Sequence, residues 1–218
     1  LDGERIIETI AGGGVCDGLP ARAASTTSAR GLAAAADGTL YLSDTQRNRV
    51  RKISPSGIIS TVAGTGLLGM ASDGMTATWA PFRYPTDLVL RGSGSLYIVD
   101  LGNCRVWEMD AAGILHAFAG NGTCDTSAAI GDGGPATSAW FRYPHSIAFN
   151  SGGVAFISEW LGQRVRRLAT DGMVSTYAGN GVRGFAGDGG PATSASFNLP
   201  GGLAVAGDGT LYVGDAER

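Results

Sequence analysis

Short apolar runs alternate along this chain with clusters of glycine and polar residues, and the runs have the length of strands. In "TLYLS", Leu40 and Leu42 alternate with Tyr41 and Ser43, the period of two of a pleated strand. "TDLVL" and "GGLAV", each just after a proline, predict another strand. "RVRKI", with Val50 and Ile53 between basic residues, predicts a third, and "IISTVAG" a fourth. Turns such as Asp37-Gly38 and Ser56-Gly57 separate them, as hairpin chemistry requires. No stretch carries the period of a helix of ten or more residues.

The same four-strand pattern recurs. "ADGTLYLSD" (36–44), "GSGSLYIVD" (92–100), "SGGVAFISE" (151–159) and "GDGTLYVGD" (207–215) are copies of one strand. Their last acids, Asp44, Asp100, Glu159 and Asp215, set a period near 56 residues, as wide as a propeller blade. Arg49-Val50, Arg105-Val106 and Arg164-Val165 follow the first three acids. "GIISTVAGTG" (57–66), "GILHAFAGNG" (113–122) and "GMVSTYAGNG" (172–181) come next, with "RIIETIAGGG" (5–14) as a leading copy. The nonamer "GDGGPATSA" stands letter for letter at 131–139 and 187–195, with decayed relatives at 16–24 and 72–80. Then "FRYP" (82–85), "FRYP" (141–144) and "FNLP" (197–200) lead into the next strand.

Tandem four-stranded antiparallel units predict an all-β fold, a β-propeller of about four blades, because a lone sheet cannot cover both its faces. The blades are expected at about 29–84, 85–143 and 144–199, with a fourth split between 200–218 and 1–28. Arg218 matches Arg47 and Leu1 matches Ile53, so one strand is missing at that join. Two readings stand: a segment of a larger propeller, or a four-bladed ring with an imperfect last blade. The chain opens at Leu1 with neither an initiator Met nor a leader, which reads as a chain processed or cut from something longer.

The pattern "G-x-L-Y-V-x-D-x-x-x-x-R-V", then "G-I-x-x-x-x-A-G-x-G" and a proline, resembles the NHL repeat family, whose repeats build propellers usually of six blades. The linker around the nonamer is similar to that of long extracellular and bacterial NHL proteins, the NHL propeller of teneurins among them. The resemblance implies a secreted or cell-surface setting. It does not fix a function, since one fold hosts many.

Composition narrows the classes further. Hydrophobic residues make up 44% and charged ones 16%, so neither a disordered segment nor a coiled coil fits. A net charge of −3 offers no global field for nucleic acid. RNA binding, known among NHL propellers, would have to use Arg51, Arg83, Arg142, Arg166 and Arg167, and stands as a second alternative. No apolar run reaches the roughly 18–20 residues of a membrane-spanning helix. Cys16, Cys104 and Cys124 form no C-x-x-C pair. Cys16 and Cys124 occupy matching loops, which allows one bridge between them; otherwise the three are free thiols.

Candidate chemistry is sparse. The nonamer lacks the Gly-Lys-Ser/Thr of a phosphate loop and offers one carboxylate per copy, too few for a calcium cage. It reads as the seam between blades, with Asp132 and Asp188 capping a single helical turn begun by Pro135 and Pro191. Phe141 and Phe197 would pin that turn to the core. The pairs Asp44 with Arg49, Asp100 with Arg105 and Glu159 with Arg164 read as hairpin latches. There is no G-x-S-x-G elbow for a serine nucleophile.

His145, in "YPHSIAF", opens an innermost strand and is expected on the central tunnel. Its Pro-His-Ser setting is similar to the zinc-holding histidines of peptidyl-α-hydroxyglycine amidating lyases. Catalytic zinc needs three protein ligands, and the second histidine, His116, falls on an outer strand. His145 is thus the sole metal candidate, and no cofactor is expected. A lyase or lactonase-type enzyme, its tunnel site completed by further blades, is the first alternative. The leading reading is a non-catalytic interaction or scaffold module, with protein partners or further blades of the same propeller as its neighbours. Trp79, Trp140, Trp160, Arg83 and Arg142 are the candidate partner surface, since Trp and Arg dominate interface hot spots. The bland alternative has Trp79 and Trp140 plugging gaps between blades. Asn121-Gly122-Thr123 is a glycosylation sequon.

Overall fold

The computed structural model describes residues 17–92, 94–124 and 130–216. It is all-β, with single turns of 3-10 helix between the strands. The first sheet holds β1 (Ala29–Ala34), β2 (Leu40–Asp44), β3 (Arg49–Ile53) and β4 (Ile59–Ala63), hydrogen-bonded in chain order. The second holds β5 (Pro85–Leu90), β6 (Leu96–Asp100), β7 (Arg105–Met109) and β8 (Leu115–Ala119). The third holds β9 (Pro144–Phe149), β10 (Ala155–Glu159), β11 (Arg164–Leu168) and β12 (Val174–Ala178). A two-stranded sheet follows, β13 (Pro200–Val205) with β14 (Leu211–Asp215). Every pairing is antiparallel, and this is the architecture of propeller blades. The expected fourth strand at 5–14, and with it the closing half of the split blade, lies outside the described residues.

The first strands of successive sheets, β1, β5, β9 and β13, lie against one another at the centre. Gly31 lets two of them approach closely: a Cβ there would stand 2.7 Å from the Asp87 Cα. Polar links tie the strands across the blade boundaries. Ser43 Oγ donates to the Thr86 carbonyl (2.8 Å), Thr86 Oγ1 to that of His145 (2.9 Å), and Ser158 Oγ to that of Gly201 (2.6 Å).

Burial follows the stacking. Strands β6 and β10 are buried at every position, on both faces, because a sheet stands on either side of them. In the first sheet Leu40 and Tyr41 are half-buried and Leu42 to Asp44 are buried, so the alternation of letters in β2 is not an alternation of burial. Leu32 on β1 is 63% exposed, whereas Leu88, its counterpart on β5, is 2% exposed. Two core clusters bridge neighbouring sheets. One gathers Val50, Phe82, Leu88, Ile98 and Trp107; the other gathers Val99, Val106, Phe141, Ile147 and Ile157. Burying a side chain of this kind contributes about 1.5–3 kcal/mol, so the inter-sheet seams hold the fold as much as the strand ladders do.

Three expectations are corrected here. The disulfide joins Cys104 to Cys124, whose Cα atoms are 5.3 Å apart, and not Cys16 to Cys124. Cys104 ends the turn after β6 and Cys124 sits in the linker after β8, so the fold brings together residues that the repeat places at unlike positions.

Next, the nonamer aspartates cap nothing. The helical turns at Ala136–Ser138 and Ala192–Ser194 have Pro135 and Pro191 at their N-caps and no side-chain cap bond. Asp132 instead reaches a buried arginine of the following sheet, as described below.

Finally, the acid of each β2-type strand faces its expected arginine in backbone register but does not pair with it. Asp44 stands opposite Arg49. The guanidinium of Arg49 donates outward to the Thr65 carbonyl (3.0 Å), and the ion pair goes to Arg51, two residues further on. Arg49 and Arg51 are two residues apart and share a strand face, so reach decides between them: the Arg49 guanidinium is held by the Thr65 carbonyl, and the buried Arg51 is the one that stands beside the carboxylate.

Candidate functional site

The turns between the second and third strands of each sheet and the linkers between sheets share one face, as the up-and-down order of the strands requires. Each turn is anchored by its acid, buried in the first three sheets and exposed in the fourth. Asp44, Asp100, Glu159 and Asp215 accept the backbone N–H of Thr27, Arg83, Arg142 and Asn198, each 17 residues earlier, at 2.7–2.8 Å. These bonds tie the end of the second strand to the entry of the first, where Ser28, Tyr84, Tyr143 and Leu199 adopt positive φ. In the first and third sheets the next turn residue helps. Asn48 accepts the Tyr84 N–H (2.9 Å) and Gln163 that of Leu199 (2.8 Å), both across a blade boundary.

Below this layer runs a second. Arg166, fully buried, donates to Asp132 at 2.5 Å and stands 3.7 Å from Glu159, itself fully buried. Arg51 does the same between Asp17 (2.5 Å) and Asp44 (3.8 Å). The linker aspartate also clamps the outermost strand: Asp17 accepts the Thr61 N–H (2.9 Å). In the second sheet Asp73 accepts the Ala117 N–H (2.7 Å), but Trp107 fills the arginine's place. Asp100 therefore has no guanidinium against it. Burial pushes its carboxyl up to about 7, against the Arg83 N–H and Asn103, which favour the charged form.

The linkers complete the edges. Gly133 donates to the Val174 carbonyl and Val174 to that of Gly134, so the nonamer lies along β12 as an irregular extra strand. Its far end holds the preceding sheet, through Gly120 and Asn121 donating to Ala136 and Ala139. The nonamer thus covers an open strand edge and fastens two blades. The nonamer is a seam between the second and third sheets.

What the linkers leave outside is apolar. Leu67 (71% exposed) and Leu68, with Met70 behind them, project from the first linker, and Val182 (62%) and Phe185 (56%) project at matching places from the third. Trp79, on the Ala77–Trp79 turn, is 75% exposed. It plugs no gap. Trp79 and Trp140 are also not equivalent: Trp79 ends its helical turn, whereas Trp140 stands two residues past the matching turn, half-buried over Arg166, whose guanidinium reaches its carbonyl. Trp160 follows Glu159 and lies by His145, ring centroids 5.7 Å apart. Arg83 is exposed and lies over Gly102, while the carbonyl of Arg142 receives the Leu161 N–H (3.3 Å). Trp160 and Arg142 thus come together at one turn; no contact joins Trp79 to them. The exposed leucines, Val182 and Phe185 were missed in the sequence, where they look like ordinary linker filler. The recurrence of Leu67 and Val182 three residues after Gly64 and Gly179 was the available signal.

His145 is half-buried at the centre, its Nδ1 without a partner. Burial, then Arg30, holds the imidazole below its ordinary value, opposed by Asp87. Among the described residues no three His, Cys, Asp or Glu side chains come together as a metal would need. His116 pairs with Asp110 on an outer strand (3.0 Å). Asn121 of the sequon is half-buried, its side-chain oxygen accepting the Thr123 N–H (2.8 Å). No described helix is long and apolar enough to cross a membrane.

Comparison with known proteins places these features. No protein-family profile matches the chain. It is 27% identical over 226 residues to Teneurin-m of Drosophila melanogaster and 29% identical over 220 residues to Teneurin-3 of Mus musculus, in each case over 91% of the chain. It spans 8% of the length of these relatives. Among solved structures, a protein of Bacteroides thetaiotaomicron superposes with a TM-score of 0.65 at 21% identity, over 85% of this chain and 44% of that one. A streptogramin B lyase superposes with a TM-score of 0.58 at 13% identity, over 87% and 49%. These likenesses carry the fold.

Proposed function

We propose that this chain is a run of blades from a larger β-propeller, and that its linker face binds a protein partner without catalysis. The observation that carries the reading is the row of exposed apolar side chains, Leu67, Trp79, Val182 and Phe185, on linkers held by the bond of the Arg83 N–H to Asp100 and of the Asn198 N–H to Asp215. A rigid base with large apolar groups held out to solvent suits an interface, since little entropy is lost when a partner covers them. Isolated exposed residues are ordinary, but these recur on one face, beside Arg83, Arg142, Trp140 and Trp160. Teneurin relatives many times longer than the chain, and propellers of which it covers about half, support its being a segment.

A secreted or cell-surface setting is part of the proposal, supported by the Cys104–Cys124 disulfide, a bond that persists in oxidising compartments, and by the Asn121 sequon in the same linker. The test is a pair of variants in the full-length protein. Trp79→Ala and Phe185→Ala should leave unfolding unchanged and abolish co-purification of the partner bound by the unaltered protein. Unchanged co-purification in both would overturn the proposal.

A second reading, an enzyme with its site on the axis, rests on the unpartnered His145 Nδ1 beside Trp160. Stoichiometric zinc in the full-length protein, lost in His145→Ala, would favour it.

A further inference from the structure

On the rim opposite the linkers, a groove runs between each pair of neighbouring sheets. The groove between the second and third sheets breaks the repeat. Tyr97, Phe118 and Phe149 pack into an aromatic cluster there, with ring centroids 4.8 Å, 4.7 Å and 6.0 Å apart. The guanidinium of Arg91 stands 4.4 Å from the centre of the Phe149 ring, at the mouth of a cavity of about 330 Å³. Leu168 lines the cavity too, and Gly153, which has no side chain, leaves the flank beside Arg91 open. The corresponding positions of the groove before it are Ala35, Tyr41, Val62 and Leu90, and of the one after it Asn150, Phe156, Tyr177 and Val205. The combination of three aromatic rings and a cation belongs to the middle groove.

Nothing in the fold asks for this cation. No carboxylate of the described residues pairs with Arg91. Glu108, on the neighbouring strand, faces the Tyr97 hydroxyl. A guanidinium half-withdrawn from water over an aromatic ring, with free donors turned to a cavity, is built for a planar anion. An inorganic anion would use Arg91 and leave the rings idle; a neutral aromatic would do the reverse. An aromatic acid uses both, and the volume suits one of two fused rings. We propose that this groove binds an aromatic carboxylate, its ring lying against the cavity-facing sides of Phe118 and Phe149 and its carboxylate on Arg91.

Titration calorimetry on the full chain with 2-naphthoate tests this. The expected result is saturable binding that weakens with added salt. Both Arg91→Gln and the use of neutral 2-naphthamide on the unaltered protein should weaken binding about tenfold or more, the loss of one charge-assisted pair. Phe149→Leu should weaken it as well. Trp79→Ala should leave it unchanged, which separates this site from the partner face. Absence of saturation with 2-naphthoate, or equal affinity for 2-naphthamide, would overturn the proposal.

Discussion

Replacing Asp100 with asparagine should change how stability depends on pH, by an amount the structure sets. Asp100 is fully buried and lacks the guanidinium that stands beside Asp44 and Glu159, because Trp107 occupies its place. Burial raises its carboxyl from 3.8 to about 7. A raised acid binds its proton more tightly when folded, so the stability it permits is full below pH 4 and drains away as pH climbs to 7. About three units at about 1.4 kcal/mol each makes the loss roughly 4 kcal/mol between pH 4 and pH 8. Asp100→Asn cannot ionise. It brings a fixed penalty of about 1–3 kcal/mol, since its amide meets the Asn103 amide that now donates to the carboxylate (2.7 Å). That penalty is the same at every pH. Denaturant unfolding from pH 4 to pH 8 should therefore find the variant weaker in acid and gaining on the unaltered protein by several kcal/mol towards pH 8. Parallel curves would refute the reasoning, for they would mean that Asp100 is ionised at no cost in the folded state.

Other perturbations follow from the same geometry. Arg166→Met strips Glu159 and Asp132 of their shared cation and should cost about 3–5 kcal/mol at neutral pH and less in acid, with Glu159→Gln in the same chain recovering much of it; denaturant midpoints read both. Cys104→Ala with Cys124→Ala should cost about 3 kcal/mol by the loop-entropy estimate for a separation of 20 residues, measured as a lowered unfolding midpoint under oxidising conditions. Gly179→Ala should cost about 1–3 kcal/mol, because the residue sits at φ +89 with the Gln163 carbonyl 2.3 Å from where a Cβ would stand; a Gly57→Ala control, also at positive φ but in open space, should cost less.

Much of the fold was legible because the repeat multiplies each signal. One strand of "TLYLS" type is ambiguous, but four copies at one spacing, each closed by an acid, leave a tandem antiparallel sheet as the simple reading. Proline before the innermost strand and glycine at the turns place the strand limits, and the ladders begin at Pro85, Pro144 and Pro200 accordingly. Side-chain partnerships were not legible. Asp44 and Arg49 are near in sequence and opposite in register, yet the ion pair forms with Arg51 on the same strand face, because the Arg49 guanidinium is taken up by the Thr65 carbonyl. The disulfide escaped for a related reason: Cys104 and Cys124 meet only because the linker after β8 folds back over the turn after β6. The exposed leucines of the first linker were invisible until burial separated them from the core leucines, which look no different as letters.

The claim that the linker face meets a protein partner is tested most directly by photo-crosslinking in the full-length protein. A benzophenone amino acid would be placed at Trp79 or Phe185 on the linker face, and at Ser56 or Asp208 on the opposite rim, all exposed positions. The account predicts discrete protein adducts from the first two sites and none from the other two. Adducts confined to Ser56 and Asp208 would contradict it.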